Sequence, residues 1–230
     1  MRILITGADR PLAAAVVPSL LPDYYVRLTG AAPAPVAALA GQDYVPADFR
    51  DPAQAAPLVE GMDAILHLVP YAPATSTDPA TEKHTLDTAA RGTYVLLHAA
   101  LKSGVRRMVL ASRLDLLAAH PADALVDETW KALPETTAAG LAPYLAELTL
   151  REFARAEDIV GVCLRLGDLD DGPDCTTTAD AISGIRRALE MDLTGRKPRW
   201  WLYHLASRGR FVTDTPEKAP LEWKRQEEAA

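Results

Sequence analysis

Cysteine is nearly absent, with only Cys163 in an apolar strand-like run and Cys175 in a polar loop among 230 residues. Two thiols cannot build a disulfide framework or a zinc site, and a reducing compartment fits them. The five histidines are scattered without metal-ligand spacing, so no metal is expected. No uninterrupted apolar run approaches membrane-spanning length, and the opening MRILITGADR turns polar too soon for a secretory leader. The expectation is a soluble, cytoplasmic protein with no membrane partner. Positive charge is also short, 24 Lys and Arg against 31 Asp and Glu for a net −7, which argues against nucleic acid as a partner. The basic, aromatic stretch Gly195 to Trp201 runs against that balance and reads as a solvated turn entering a Trp-rich strand.

Glycine is missing where it would matter most. Arg2 to Thr6 form a β-rich run, Gly7 breaks it, and an Ala/Val/Leu-rich helical pattern follows, the strand–turn–helix context in which a pyrophosphate meets helix N-terminal amides. A full fingerprint places glycines for the tight turn, for close backbone approach to the phosphates and for helix–strand packing. Here only Gly7 remains, and the later positions hold Arg10, Pro11 and Ala13. Pro11 suits the first helical turn but has no N–H to offer. Two readings stay open: a dinucleotide cradle in reduced form, or a sheet whose loop no longer holds a nucleotide.

What the chain does have is length and apolar content, 49% hydrophobic, enough to bury one α/β core over residues 1–230. Strand-length apolar runs alternate with helical stretches, the pattern of a parallel sheet covered on both faces. Strands are predicted at Arg2–Thr6, Tyr25–Thr29, Asp43–Val45, Ala64–Leu68, Arg107–Ala111, Val160–Arg165 and Trp201–His204. Helices are predicted at Leu12–Leu21, Pro33–Ala40, Pro52–Glu60, Ala80–Ser103, Leu141–Glu157 and Ala179–Met191, with a frayed tail at Gln226–Ala230. The fold class is therefore α/β, a Rossmann-like doubly wound parallel sheet.

The segments ITGADRPLA, VPADFRDP, DAILHLV, RGTYVLLHAALKSGVRRMVLAS, LAPYLAELTLREFAR and VCLRLGDLDDGP, in that order, resemble the extended short-chain dehydrogenase/reductases, the NAD-dependent epimerase/dehydratase family. DAISGIRRALE and the closing APLEWK agree more weakly. The resemblance implies NAD or NADP and hydride chemistry on a hydroxyl or carbonyl carbon. It assigns cofactor contacts to Gly7, to Asp48 at the adenine amino group with Phe49 beside it, and to Arg10, where NADP-binding relatives place a cation. Gly30 stands where NAD-preferring members carry the acid for the ribose 2′-hydroxyl, so the lean is toward NADP. Without the family, Asp48 is an ordinary turn former and Arg10 a solvated helix-start residue.

For catalysis the resemblance supplies Ser112 and Tyr144, but puts Leu148 where the activating Lys should be and Ala89 where the relay Asn should be. A phenol near its usual pKa of about 10 is a poor base at neutral pH without a neighbouring ammonium. Leu141, Leu145, Leu148 and Phe153 fall on one apolar stripe, which makes Leu148 a packing residue. After Pro173 the chain passes within one Thr-rich loop to Asp180, so the substrate lobe at 174–230 is reduced and a small ligand fits better than a nucleotide sugar. Two functions compete: an atypical oxidoreductase or epimerase working through Ser112 and Tyr144, and a non-catalytic dinucleotide-binding sensor or scaffold. By analogy with the family, the helices at Ala80–Ser103 and Leu141–Glu157 could form a homodimer bundle, or their apolar stripes could equally be covered by the chain's own core.

Overall fold

Seven parallel strands order as β3-β2-β1-β4-β5-β6-β7 in a computed structural model that describes residues 1–71, 75–193, 199–212 and 220–226. The strands are β1 (Arg2–Thr6), β2 (Tyr25–Gly30), β3 (Tyr44–Pro46), β4 (Ala64–His67), β5 (Arg107–Arg113), β6 (Val160–Leu166) and β7 (Trp200–Leu205). β1, β4, β5 and β6 are apolar on both faces because helices cover both sides. On one side α1 (Pro11–Leu20) and α6 (Thr178–Glu190) pack Leu12, Val16, Ala181 and Ile185 against Ile3, Ile5, Leu66 and Val162. On the other, α2 (Pro52–Val59), α4 (Thr93–Lys102) and α5 (Ala138–Ala156) pack Leu58, Leu96, Ala146 and Leu150 against Leu4, Ile65, Met108 and Cys163. This is the doubly wound Rossmann-like sheet the sequence predicts. Its strand order reverses between β1 and β4, and ligands in such sheets bind beyond the strand C-termini at that reversal.

Local chemistry fixes the helix starts. Asp51 caps α2 by accepting from Ala53 N at 2.9 Å, and Asp78 caps α3 (Pro79–Asp87) by accepting from Thr81 N at 2.9 Å, each followed by a proline at the first helical position. Thr137 caps α5 and Thr177 caps α6 in the same way, at 3.0 and 3.1 Å. Two helical expectations are corrected. The segment predicted as a helix at Pro33–Ala40 holds only a 3-10 turn at Ala37–Leu39, since Pro33 and Pro35 remove donors and turn their preceding residues away from helix. The helix predicted at Ala80–Ser103 is α3 and α4 joined by a π turn at Thr88–Gly92, where Gly92 meets the Phe49 ring so closely that a Cβ would stand 2.8 Å from it.

The chain after β6 turns at residues 167–177 without opening a lobe. Thr176 Oγ1 accepts from Gly167 N at 2.8 Å and donates to the Leu205 carbonyl, tying that loop to the end of β7. Asp180, buried in the first turn of α6, accepts from Ser207 Oγ and from Gln226 N at 2.7 Å, while Leu221 and Trp223 enter the core. That is what DAISGIRRALE and APLEWK accomplish in this chain. Gln226 is thus held; residues 227–230 of the predicted frayed tail, and 195–198 of the basic stretch, lie outside the described residues. Among the described residues no helix is long and apolar enough to cross a membrane.

Candidate functional site

Gly7 ends β1 with φ +76°, a left-handed conformation that glycine adopts without strain, and a Cβ there would meet the Val69 amide at 3.0 Å. The turn that follows is closed by its own backbone. Ala8 N donates to the Thr29 carbonyl at 3.1 Å, Arg10 N donates to the Gly7 carbonyl at 2.9 Å, and Pro11 has no N–H. Three of the five main-chain nitrogens from Ala8 to Leu12 are therefore withdrawn from any phosphate. Arg10 stands at the N-cap of α1 without a side-chain cap and lies 4.0 Å from Asp9 through its Nε. The positive end of the helix dipole still faces the turn.

At the end of β2, Gly30 leaves a space that a neighbour fills. A Cβ on residue 30 would land 2.4 Å from Asp9 Oδ1, and Asp9 Oδ2 accepts from Ala31 N and Ala32 N at 3.0 Å each. Beyond β3, Asp48 is gripped by Arg50, whose Nε and Nη2 reach its two oxygens at 2.8 and 2.6 Å and hold its carboxyl below the usual range. Oδ1 also accepts from the Arg50 main-chain N–H at 3.0 Å, so Oδ2 is the oxygen that keeps a lone pair for a further donor such as an adenine amino group. Phe49 turns inward instead, 4% exposed and edge-on to His67 with ring centres 5.7 Å apart. The turn, the β2 end and Asp48 thus follow the C-terminal ends of β1, β2 and β3, with fewer free amides in the turn than a full fingerprint provides.

His67 closes β4 in full burial. Its Nδ1 lies 2.6 Å from Thr6 Oγ1 and its Nε2 lies 3.1 Å from Thr93 Oγ1, which locks β1, β4 and the start of α4 together. Desolvation pushes its pKa down to about 3, so the ring is neutral and serves as a crosslink.

The two residues predicted for catalysis lie in different surroundings, Ser112 buried and Tyr144 half-buried. Ser112, near the end of β5, is fully buried, and its hydroxyl donates to Glu147 Oε1 at 2.6 Å. Arg165 on β6 grips the same carboxylate, Nε to Oε1 at 2.8 Å and Nη2 to Oε2 at 2.7 Å. Glu147 is 4% exposed and Arg165 3%, so this ion pair sits inside the protein. The face that α5 buries is Ala138, Ala142, Pro143, Ala146, Glu147, Leu150 and Ala154. Leu141, Leu145 and Leu148 lie only half-buried on the other side, which corrects their reading as the core stripe.

A cleft of about 890 Å³ opens beyond β4 and β5 and is lined by Tyr71, Arg113, Asp115, Ala139, Gly140 and Pro143 among others. Tyr144 is half-buried and is not among its lining residues. A Tyr and a Lys four positions apart on the cleft-lining face of α5 would have to stand at Ala139 and Pro143, and neither residue can carry a proton. Of the ionisable groups that line the cleft, Glu135 is exposed before the start of α5, while Tyr71, Arg113 and Asp115 are engaged with neighbours. Arg113 lies over the Tyr71 ring at 5.2 Å and pairs with Asp168 at 3.0 Å and with Asp115. Tyr71 donates to the Gly167 carbonyl at 2.8 Å, and burial raises its phenol to about 12, away from the range a general base needs near neutrality.

The description "NAD dependent epimerase/dehydratase family" matches residues 3–191. The chain belongs to that family. No curated protein matches it. Among solved structures it is similar to a glucuronic acid dehydrogenase from Chromohalobacter salexigens, at 23% identity and TM-score 0.81 over 98% of this chain and 84% of that one. It is similar to a mutated uronate dehydrogenase at 24% identity and TM-score 0.76, over 90% of this chain and 74% of that one. A short-chain dehydrogenase/reductase superfamily protein from Agrobacterium tumefaciens with bound NAD gives 22% and 0.75, over 90% and 77%. These likenesses establish the fold. Within the family's frame, the structure adds Asp9 and Glu147 to the residues named from sequence. The signals were present: a Glu inside an Ala/Leu helix face and an Arg inside an apolar strand are opposite charges in runs that must be buried.

Proposed function

We propose that this chain binds a nicotinamide dinucleotide without turning it over by the Tyr–Lys route, as a sensor or scaffold built on the family's fold. Dinucleotide binding is supported by family membership, by the Gly7 turn at the strand-order reversal, and by Asp48 at the end of β3. The observation that carries the absence of turnover is the side of α5 facing the cleft, Ala139 and Pro143, where a proton-transferring pair would have to stand. The enzymatic alternative needs Ser112 and Tyr144 to act on one substrate oxygen, and the burial of Ser112 against Glu147 weighs against it. Calorimetric titration with NAD and NADH tests the binding half: saturable heat is expected, and its absence with both would remove the reading.

A homodimer through α4 and α5 belongs to the same proposal. Tyr94, His98 and Phe153 form an edge-on aromatic cluster across the two helices, with ring centres 4.6 to 5.6 Å apart and Tyr94 49% exposed. Light scattering at rising concentration is expected to give twice the chain mass, and a strictly monomeric species would exclude this assembly.

A further inference from the structure

We infer that Asp9 sets the nucleotide preference of the cleft toward NAD and against NADP. The inference rests on the dinucleotide reading above and reverses the lean drawn from Gly30 and Arg10. In a doubly wound sheet the side chain at the end of β2 meets the adenosine ribose, and an acid there favours a free 2′-hydroxyl. Residue 30 has no side chain, yet its place is not empty. The ideal Cβ direction from Gly30 runs into the Asp9 carboxyl, 2.4 Å from Oδ1 and 2.5 Å from Cγ, so the acid reaches the β2 end from the β1–α1 turn instead.

The carboxylate is held for that position from several sides. Oδ2 accepts from the amides of Ala31 and Ala32, the first two residues after β2. Tyr44 on β3 backs the same loop by donating to the Ala32 carbonyl at 2.6 Å, and its phenol is raised to about 12 by burial and then by the Asp9 charge, which places the two groups within electrostatic reach. Oδ1 is directed toward Gly30, with the Arg10 Nε at 4.0 Å. An oxygen there can accept from a ribose hydroxyl, whereas a 2′-phosphate would face a fixed carboxylate, and like charges brought together across a site are strongly unfavourable. Arg10 does not reverse this, because its Nε lies beside that same carboxylate, 4.0 Å from Oδ1.

The test is calorimetric titration of the full chain with NAD and NADP, repeated on Asp9→Asn, which keeps the shape and an acceptor for the two amides but removes the charge. The wild type is expected to bind NAD at least about tenfold more tightly than NADP, and Asp9→Asn to bring the two within about threefold. Equal or tighter NADP binding by the wild type overturns the inference with no variant needed, as does an unchanged ratio in a folded Asp9→Asn protein. Heat with neither nucleotide removes the dinucleotide reading itself and this inference with it, a result distinct from binding without preference.

Discussion

Glu147→Ala is expected to destabilise the protein by about 3–5 kcal/mol, because it leaves the Arg165 guanidinium buried without its counter-charge. For a chain of this length that corresponds to a fall in Tm of roughly 10 °C. The loss exceeds an ordinary core truncation of similar size for a specific reason. Arg165 Nη1 already has no hydrogen-bond partner, so Glu147 is what compensates a side chain only 3% exposed. The same substitution strips the acceptor from Ser112 Oγ. Glu147→Gln should recover little, since it keeps volume but not charge. The double replacement Glu147→Leu with Arg165→Met should recover most of the loss, as buried pairs replaced by apolar side chains often do. Urea unfolding of the four proteins measures this; a double variant no more stable than Glu147→Ala would mean that the loss does not come from the stranded charge.

The second large effect is acid sensitivity through His67. Its pKa is about 3 in the folded protein against 6.5 when unfolded, so below pH 6.5 the unfolded chain takes up a proton that the folded one refuses. Stability from this group is intact above pH 6.5 and falls by about 1.4 kcal/mol per pH unit on the way down. Between pH 7 and about pH 4.5 His67 alone should remove about 2.5 kcal/mol. Denaturant curves across that interval are expected to be steeper in pH for the wild type than for His67→Gln, by that amount. Parallel pH dependences would show that the ring already carries a proton in the folded state. The two hydrogen bonds to Thr6 and Thr93 explain why a histidine is tolerated there at all, since a neutral imidazole can satisfy both nitrogens.

The sheet was legible because its strands are short runs with apolar residues on both faces, and β1 occupies the predicted Arg2–Thr6 while the others end within two residues of expectation. The sharp turn after β1 was legible from Gly7, whose φ is +76°. What the sequence concealed lies on helices and in space. Periodicity marks an apolar stripe on α5 but cannot say which of two apolar faces is packed: the small residues Ala142 and Ala146 allow close approach to the sheet, so the leucine face turns outward. That rotation decides whether Tyr144 lines the cleft. The π turn before α4 follows from Phe49, more than forty residues earlier in the chain, packing against Gly92, a contact no local pattern contains. The acid at the β2 end was sought at position 30 and stands at position 9, a substitution in space between residues of different elements.

The cleft-facing side of α5 is the feature on which the functional reading depends, and cofactor oxidation is the measurement that reaches it most directly. With the protein saturated with NADH and offered a panel of small aldehydes, ketones and oxidised sugar acids, no oxidation above the uncatalysed rate is expected. Turnover of about 1 s⁻¹ or more, within the ordinary enzymatic range and abolished by Tyr144→Phe, would contradict it.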